Sequence, residues 1–136
     1  MTKRRVVVTG LGIVSPVGND LTSSWNNIIN GVSGIDLITH FDTTNFATKF
    51  AGEVKNFSTD GFFDAKEARR TDRFIQMGVV AGVQAVRDAG LEDLANLYKE
   101  RVGLIIGSGI GGLPTIENHT LILKDKGPRK IGPFFI

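Results

Sequence analysis

The chain has 136 residues, 41% of them hydrophobic and 22% charged, which is enough for one core and ordinary for a globular protein. Its formal charge of +2 is too small to imply a nucleic-acid partner, and the absence of cysteine excludes disulfides, thiolate metal sites and a cysteine nucleophile within these residues. The basic start (Lys3, Arg4, Arg5) is followed by only Val6, Val7 and Val8, so neither a signal peptide nor a membrane span is read, and the default compartment is the cytoplasm.

Residues 4–9 read as a buried strand, because a continuous apolar run fits a parallel sheet covered on both faces. Gly10-Leu-Gly-Ile-Val-Ser-Pro-Val-Gly18 follows. It opens as G-x-G-x-x but has Ser15 where a third glycine belongs, and no helix starts after the second glycine, so it is not read as a dinucleotide loop. Residues 20–30 read as a helix capped by Asp20 or Thr22. Leu21, Trp25, Ile28 and Ile29 form its apolar stripe, and Gly31 ends it. The stretch to residue 60 is less regular. Ile35, Leu37 and Ile38 suggest a short extended piece, residues 50–54 a second one. Phe41, Phe46, Phe50 and Phe57 mark an excursion that packs on the body.

Residues 64–89 read as one long helix. Its first turns are charged, and from Phe74 it is apolar almost all round, which predicts burial. Gly78, Ala81, Gly82, Ala85 and Ala89 are small enough to let a neighbouring backbone approach. A shorter helix is expected over residues 93–98, then a second apolar strand over 101–107. A glycine loop, Gly107-Ser-Gly-Ile-Gly-Gly112, leads to a helix over 114–124 with Pro114 in its first turn, stopped by Gly127 and Pro128. This order predicts an α/β layer architecture with a mostly parallel sheet. The apolar end, Gly132-Pro-Phe-Phe-Ile136, predicts further chain beyond it, since chain ends are more often polar.

The glycine loop satisfies G-x-G-x-x-G and sits between a strand and a helix, the context of a dinucleotide site. The acidic residue expected about twenty positions on, at the end of a second strand, is missing; Lys124-Asp-Lys-Gly-Pro-Arg-Lys130 arrives instead. His40 and His119 lie in no metal spacing, so no metal site is expected, and neither Ser15 nor Ser108 lies in G-x-S-x-G. Two basic clusters remain. Lys66, Arg69, Arg70 and Arg73 open the long helix, locally offset by Asp60, Asp64, Glu67 and Asp72. Lys124, Lys126, Arg129 and Lys130 are opposed only by Asp125, a surplus that suits an anionic partner. A solvated, self-paired helix end is the plainer alternative for the first cluster.

Several motifs in order resemble one family. Val6-Val-Val-Thr-Gly-Leu-Gly-Ile-Val-Ser-Pro-Val-Gly18 is similar to the amino-terminal signature of the β-ketoacyl-acyl-carrier-protein synthases. So are Phe41-Asp42, Ala47-Thr-Lys-Phe-Ala-Gly52, Asp72-Arg-Phe-Ile-Gln76, Gly107-Ser-Gly-Ile-Gly-Gly112, Glu117-Asn-His-Thr120 and Gly127-Pro-Arg-Lys-Ile131. The resemblance runs the length of the chain and is nearest to the type II condensing enzymes of bacterial fatty-acid synthesis.

It implies a thiolase-like fold, a mixed, mostly parallel sheet layered between helices, in a homodimer. It implies a decarboxylative Claisen condensation of an acyl-enzyme with malonyl-carrier protein. The family's catalytic cysteine, two histidines and lysine fall at no position of this chain, so residues 1–136 correspond to an incomplete amino-terminal portion that is inactive alone. No cofactor is implied; phosphopantetheine arrives on the carrier. Lys66, Arg69, Arg70, Arg129 and Lys130 match the basic surface that receives the acidic acyl carrier protein. Ile110 matches an acyl-pocket residue, and Phe134 and Phe135 fall where the family reaches the partner subunit's pocket. A non-catalytic binding or dimerisation fragment, and a nucleotide-binding α/β module, remain as alternatives.

Overall fold

The computed structural model describes residues 3–93, 98–133 and 135. They fall into two compact units, one of Met1–Ser58 with Val80–Val102, the other of Thr59–Val79 with Gly103–Ile136.

In the first unit, the loop after residue 9 lies on the helix labelled α3 (Arg73–Asp88), against its carboxy-terminal half. A Cβ at Gly10 would stand 2.8 Å from the Ala89 Cβ and collide with the Ala85 carbonyl. One at Gly12 would stand 2.7 Å from the Ala85 nitrogen and collide with the Ala81 carbonyl. Only glycine facing alanine permits this backbone-to-backbone contact. Of the small residues expected to admit a neighbouring backbone, Ala81, Ala85 and Ala89 do so, while an added Cβ at Gly82 would meet no atom and one at Gly78 only the Ile106 side chain. Hydrogen bonds then fix the register: the Leu11 N–H donates to Asp88 Oδ2 (2.8 Å), and the Ile13 N–H to Gln84 Oε1 (3.1 Å). Gln84 Nε2 donates in turn to the Asn19 carbonyl (2.7 Å).

The loop closes on itself between Ser15 and Gly18, which exchange two backbone bonds of 2.8 and 3.1 Å. Helix α1 (Leu21–Ile29) starts where Asp20 accepts from the Ser23 N–H, and Gly31, at φ +67°, turns the chain away after it. The buried residue of α1 is Ser24. The expected apolar stripe is present but uncovered, with Trp25 60% exposed. Amphipathic spacing names the face that seeks cover; it does not supply the cover.

Strands β1 (Ile35–Leu37) and β2 (Phe50–Gly52) pair antiparallel, with Asp36 opposite Ala51. They are the sheet present among the described residues. Residues 4–9 and 101–107, expected as parallel strands, join no ladder; Val6 is 87% and Ile105 98% exposed. A strand is completed by a neighbouring edge that takes its N–H and C=O groups, and no described segment offers one. Phe41 and Phe46 pack on each other, ring centroids 5.4 Å apart, and both stay exposed.

Glu53, just past β2, gathers the Thr39 N–H (3.0 Å), the Thr39 hydroxyl (2.8 Å) and the His40 N–H (3.2 Å). Desolvation pushes its carboxyl up, but the bonds from Thr39 and His40 outweigh this and hold its pKa below the ordinary value.

The second unit holds helix α2 (Ala65–Arg70), the first turns of α3, helix α4 (Leu113–Lys126) and a 3₁₀ turn, Pro128–Lys130. The single helix expected over 64–89 is thus two, separated at Thr71 and Asp72. Thr71 is extended (φ −111°, ψ 127°). Nor is α3 fully buried: Val80 is (2% exposed), while Phe74, Ile75 and Val86 stay exposed. The helix expected over 93–98 falls largely outside the described residues. Among the described residues no helix is long and apolar enough to cross a membrane.

Two outcomes check this account. Gly12→Ala should destabilise the protein by about 1–3 kcal/mol in urea unfolding, because the methyl has no room against α3. A carboxyl with a depressed pKa lends stability above its unfolded value of about 4.3, lost as pH falls through the folded value. The melting temperature should therefore drop on acidification below about pH 4.5. Glu53→Gln should flatten part of that drop, the remainder belonging to Asp20, Asp36 and Asp42, which are lowered likewise.

Candidate functional site

The expected site residues fall mainly in the second unit, around the junction of α2, α3 and α4. Asp64 caps α2 by accepting from the Lys66 and Glu67 N–H groups at 2.7 and 2.8 Å. That leaves Lys66, Arg69 and Arg70 exposed on a short basic helix. Arg69 and Arg70 occupy its last turn, where a cation complements the carbonyl end of the helix. Arg69 Nε also donates back to the Ala65 carbonyl (2.8 Å), laying the guanidinium along the helix.

The break after Arg70 leaves carbonyls that α2 itself cannot satisfy. Side chains close them. The Thr71 hydroxyl donates to the Glu67 carbonyl (2.7 Å), and Gln76 Nε2 donates to the carbonyls of Ala68 (2.7 Å) and Thr71 (2.9 Å). The Asp72 carbonyl accepts the first backbone bond of α3, from Gln76 (3.1 Å). Its carboxylate turns to α4, where Oδ1 accepts from the Thr115 hydroxyl at 2.6 Å.

Helix α4 begins at Gly112, which is left-handed (φ +72°) and whose missing Cβ would lie 3.1 Å from Asp72 Oδ2. One turn into α4, the Thr115 carbonyl lies 2.9 Å from His119 Nδ1. A carbonyl only accepts, so the Nδ1 carries the proton. The His119 ring lies tilted on Phe135, centroids 4.8 Å apart.

Two clefts meet here. One of about 410 Å³ is lined by Arg70, Asp72, Phe74, Thr115, Ile116 and Phe135 among others. The next, of about 290 Å³, is lined by Arg69, Arg70, Thr71, Asp72, Thr115, His119 and Gly132. Of the residues expected from sequence, the structure thus brings Arg69, Arg70 and Phe135 to adjoining clefts. Lys66 lines neither cleft, and Arg129 and Lys130 stand exposed on the 3₁₀ turn after α4. Ile110 is 79% exposed and lines neither cleft. Phe134 lies outside the described residues.

The glycine loop divides in two. Gly111 is pressed on Phe74, where a Cβ would come 2.6 Å from the ring Cζ. Gly107 and Gly109 have no atom near an added Cβ, so only the end of the loop is tightly packed. Among the described residues there is no group of three or more metal-ligating side chains.

Sequence reasoning missed Asp72, Thr115 and His119 as one linked set. Part of the signal was there: Thr71-Asp72 before the apolar run from Phe74 is a helix-start signature, and Thr115 and His119 are one turn apart.

Comparison with known proteins places this geometry. The family model described as "Beta-ketoacyl synthase, N-terminal domain" matches residues 3–136. A Vibrio cholerae protein named 3-oxoacyl-[acyl-carrier-protein] synthase 2 is 54% identical over 136 residues, all of this chain and 33% of that protein. A Staphylococcus aureus protein of the same name is 50% identical over 133 residues, 98% of this chain and 32% of that one. The chain thus spans about a third of the length of the curated relatives it matches. Among solved structures, a ketosynthase described in complex with a type II polyketide acyl-carrier protein superposes with a TM-score of 0.76 at 27% identity, over 97% of this chain and 34% of that one. The ishigamide ketosynthase/chain length factor gives 0.75 at 28% identity, over 98% of this chain and 33% of that one.

Proposed function

Since the chain belongs to the β-ketoacyl synthase N-terminal domain family, we propose that it works as the first part of a condensing enzyme of fatty-acid elongation. The observation that carries this reading is the match of the family model over residues 3–136. In the reaction, an acyl group passes from its carrier to a cysteine thiolate. Malonyl-carrier protein loses carbon dioxide, and the carbanion left behind attacks the acyl thioester. A C–C bond forms, the C–S bond to the enzyme breaks, and the thiolate leaves. These residues contain no cysteine, so the chain by itself takes no acyl group.

The role left to the segment is to receive and to shape. Lys66, Arg69 and Arg70 on α2, with Arg129 and Lys130 after α4, form the surface for an acidic acyl carrier protein. The exposure of all five supports this. So does the neighbouring solved ketosynthase, which is itself described with a carrier protein bound. Ile110, Phe134 and Phe135 contribute to the acyl pocket of a homodimeric, cytoplasmic enzyme that uses acyl and malonyl thioesters. Residues 4–9 and 101–107 become strands of a mostly parallel sheet when an edge is supplied to them. Their apolar content and exposure support that reading. The absence of cysteine favours a second reading, a fragment that only binds or dimerises.

Charge reversal tests the docking surface in the longest polypeptide that carries this sequence. Arg129→Glu with Lys130→Glu should raise the Kd for an acidic carrier about tenfold, or about 1.4 kcal/mol, and reduce its dependence on salt. Binding that is unchanged across salt would remove these residues from the interface. Ile110→Phe should shorten the longest acyl chain in the product profile by filling the pocket; an unaltered profile would take Ile110 out of it.

A further inference from the structure

Helix α2 has little packing to hold it. It is six residues long with none buried, and only Ala68 is half-buried. Hydrogen bonds close both of its ends. The first is closed by its own Asp64. The second is closed by Gln76 of α3, through the Ala68 and Thr71 carbonyls. Directly after it stands Asp72, whose carboxylate takes the Thr115 hydroxyl from across the sequence.

That bond is short, at 2.6 Å, charge-assisted and half-buried, which places it among the stronger hydrogen bonds. The second oxygen of Asp72 faces Gly112, where any side chain would crowd it. Thr115 in turn is anchored in the first turn of α4. The break that permits α2 to change direction is therefore the place where α4 takes hold.

We propose that Asp72 is a positioning residue: through Thr115 it locks the α2–α3 break to α4, and so fixes the direction in which Arg69 and Arg70 are presented to an acidic partner. The inference rests on the carrier-docking reading of α2. A pair of arginines held in place loses less freedom on binding than a pair on a swivelling helix, so the lock acts on affinity for the carrier. The bond joins two helices and supplies no group that bonds or carries a proton in the condensation, so its loss is read first on carrier affinity.

The test uses the longest polypeptide that carries this sequence. Condensation is measured with the acyl group borne on carrier protein and, separately, on coenzyme A. Carrier binding is measured by calorimetry. Thr115→Val removes the donor and keeps the shape. It should raise the carrier Kd and KM about five- to tenfold, with a clearly smaller change in the KM for acyl-coenzyme A. Thr115→Ser keeps the donor and should stay near the parent protein, and Asp72→Asn, which keeps an acceptor but loses the charge, should fall between the parent and Thr115→Val. If Thr115→Val does not fold, Asp72→Ala carries the same expectation. An unchanged carrier KM, or equal losses with both acyl donors, overturns the proposal. Arg69→Glu with Arg70→Glu separates the two levels. If that pair leaves carrier affinity intact, the docking reading fails and this inference with it. If the pair weakens binding and the loss of the Asp72–Thr115 bond does not, the positioning role alone fails.

Discussion

The contact between the Gly10–Gly12 backbone and the small face of α3 is the constraint on which the first unit depends. It brings a loop so near a helix that neither side tolerates a methyl group at the wrong position. Distance alone would not settle register, since glycine against alanine slides easily. Gln84 and Asp88 settle it by accepting the loop's amide protons at defined positions. The next turns follow from that anchoring. Gln84 also holds Asn19, and Asn19 stands directly before the cap of α1.

The second unit is organised by interruption. A helix running from 64 to 89 would present its basic residues as one face of a long rod. The break at Thr71 and Asp72 detaches six residues with their cations and leaves carbonyls to be satisfied. Gln76 does this from inside the apolar run, which explains a long amide at a position where packing alone would favour a hydrocarbon. The same break frees the Asp72 carboxylate for Thr115. Continuity of the backbone is given up, and a three-helix junction is gained.

Local features were the most legible in the sequence. The cap at Asp20, the stops at Gly31 and Gly127, the proline at the start of α4 and the extended pieces at 35 and 50 all rest on chemistry confined to a few residues. The α2–α3 break was missed because hydrophobic periodicity from Phe74 outweighed a weaker signal, the Thr-Asp pair before it. The strands expected at 4–9 and 101–107 join no ladder among the described residues. An apolar run states what a segment needs around it and does not supply the partner. The basic residues Arg69 and Arg70 were found by charge, yet the side chains that set their direction are uncharged or distant in sequence. Nothing in the pattern of one helix announces a bond made 43 positions away.

The segment from Val102 to Ile106 has a consequence for the life of the molecule before it reaches its working form. It is apolar and exposed along its length, and its backbone N–H and C=O groups lack ladder partners. It has neither the charges nor the proline with which edge strands are usually blunted. A stretch of that kind templates pairing with any extended chain it meets, including another copy of itself. The few residues that lead into the glycine loop are thus among the parts of the described chain most open to association.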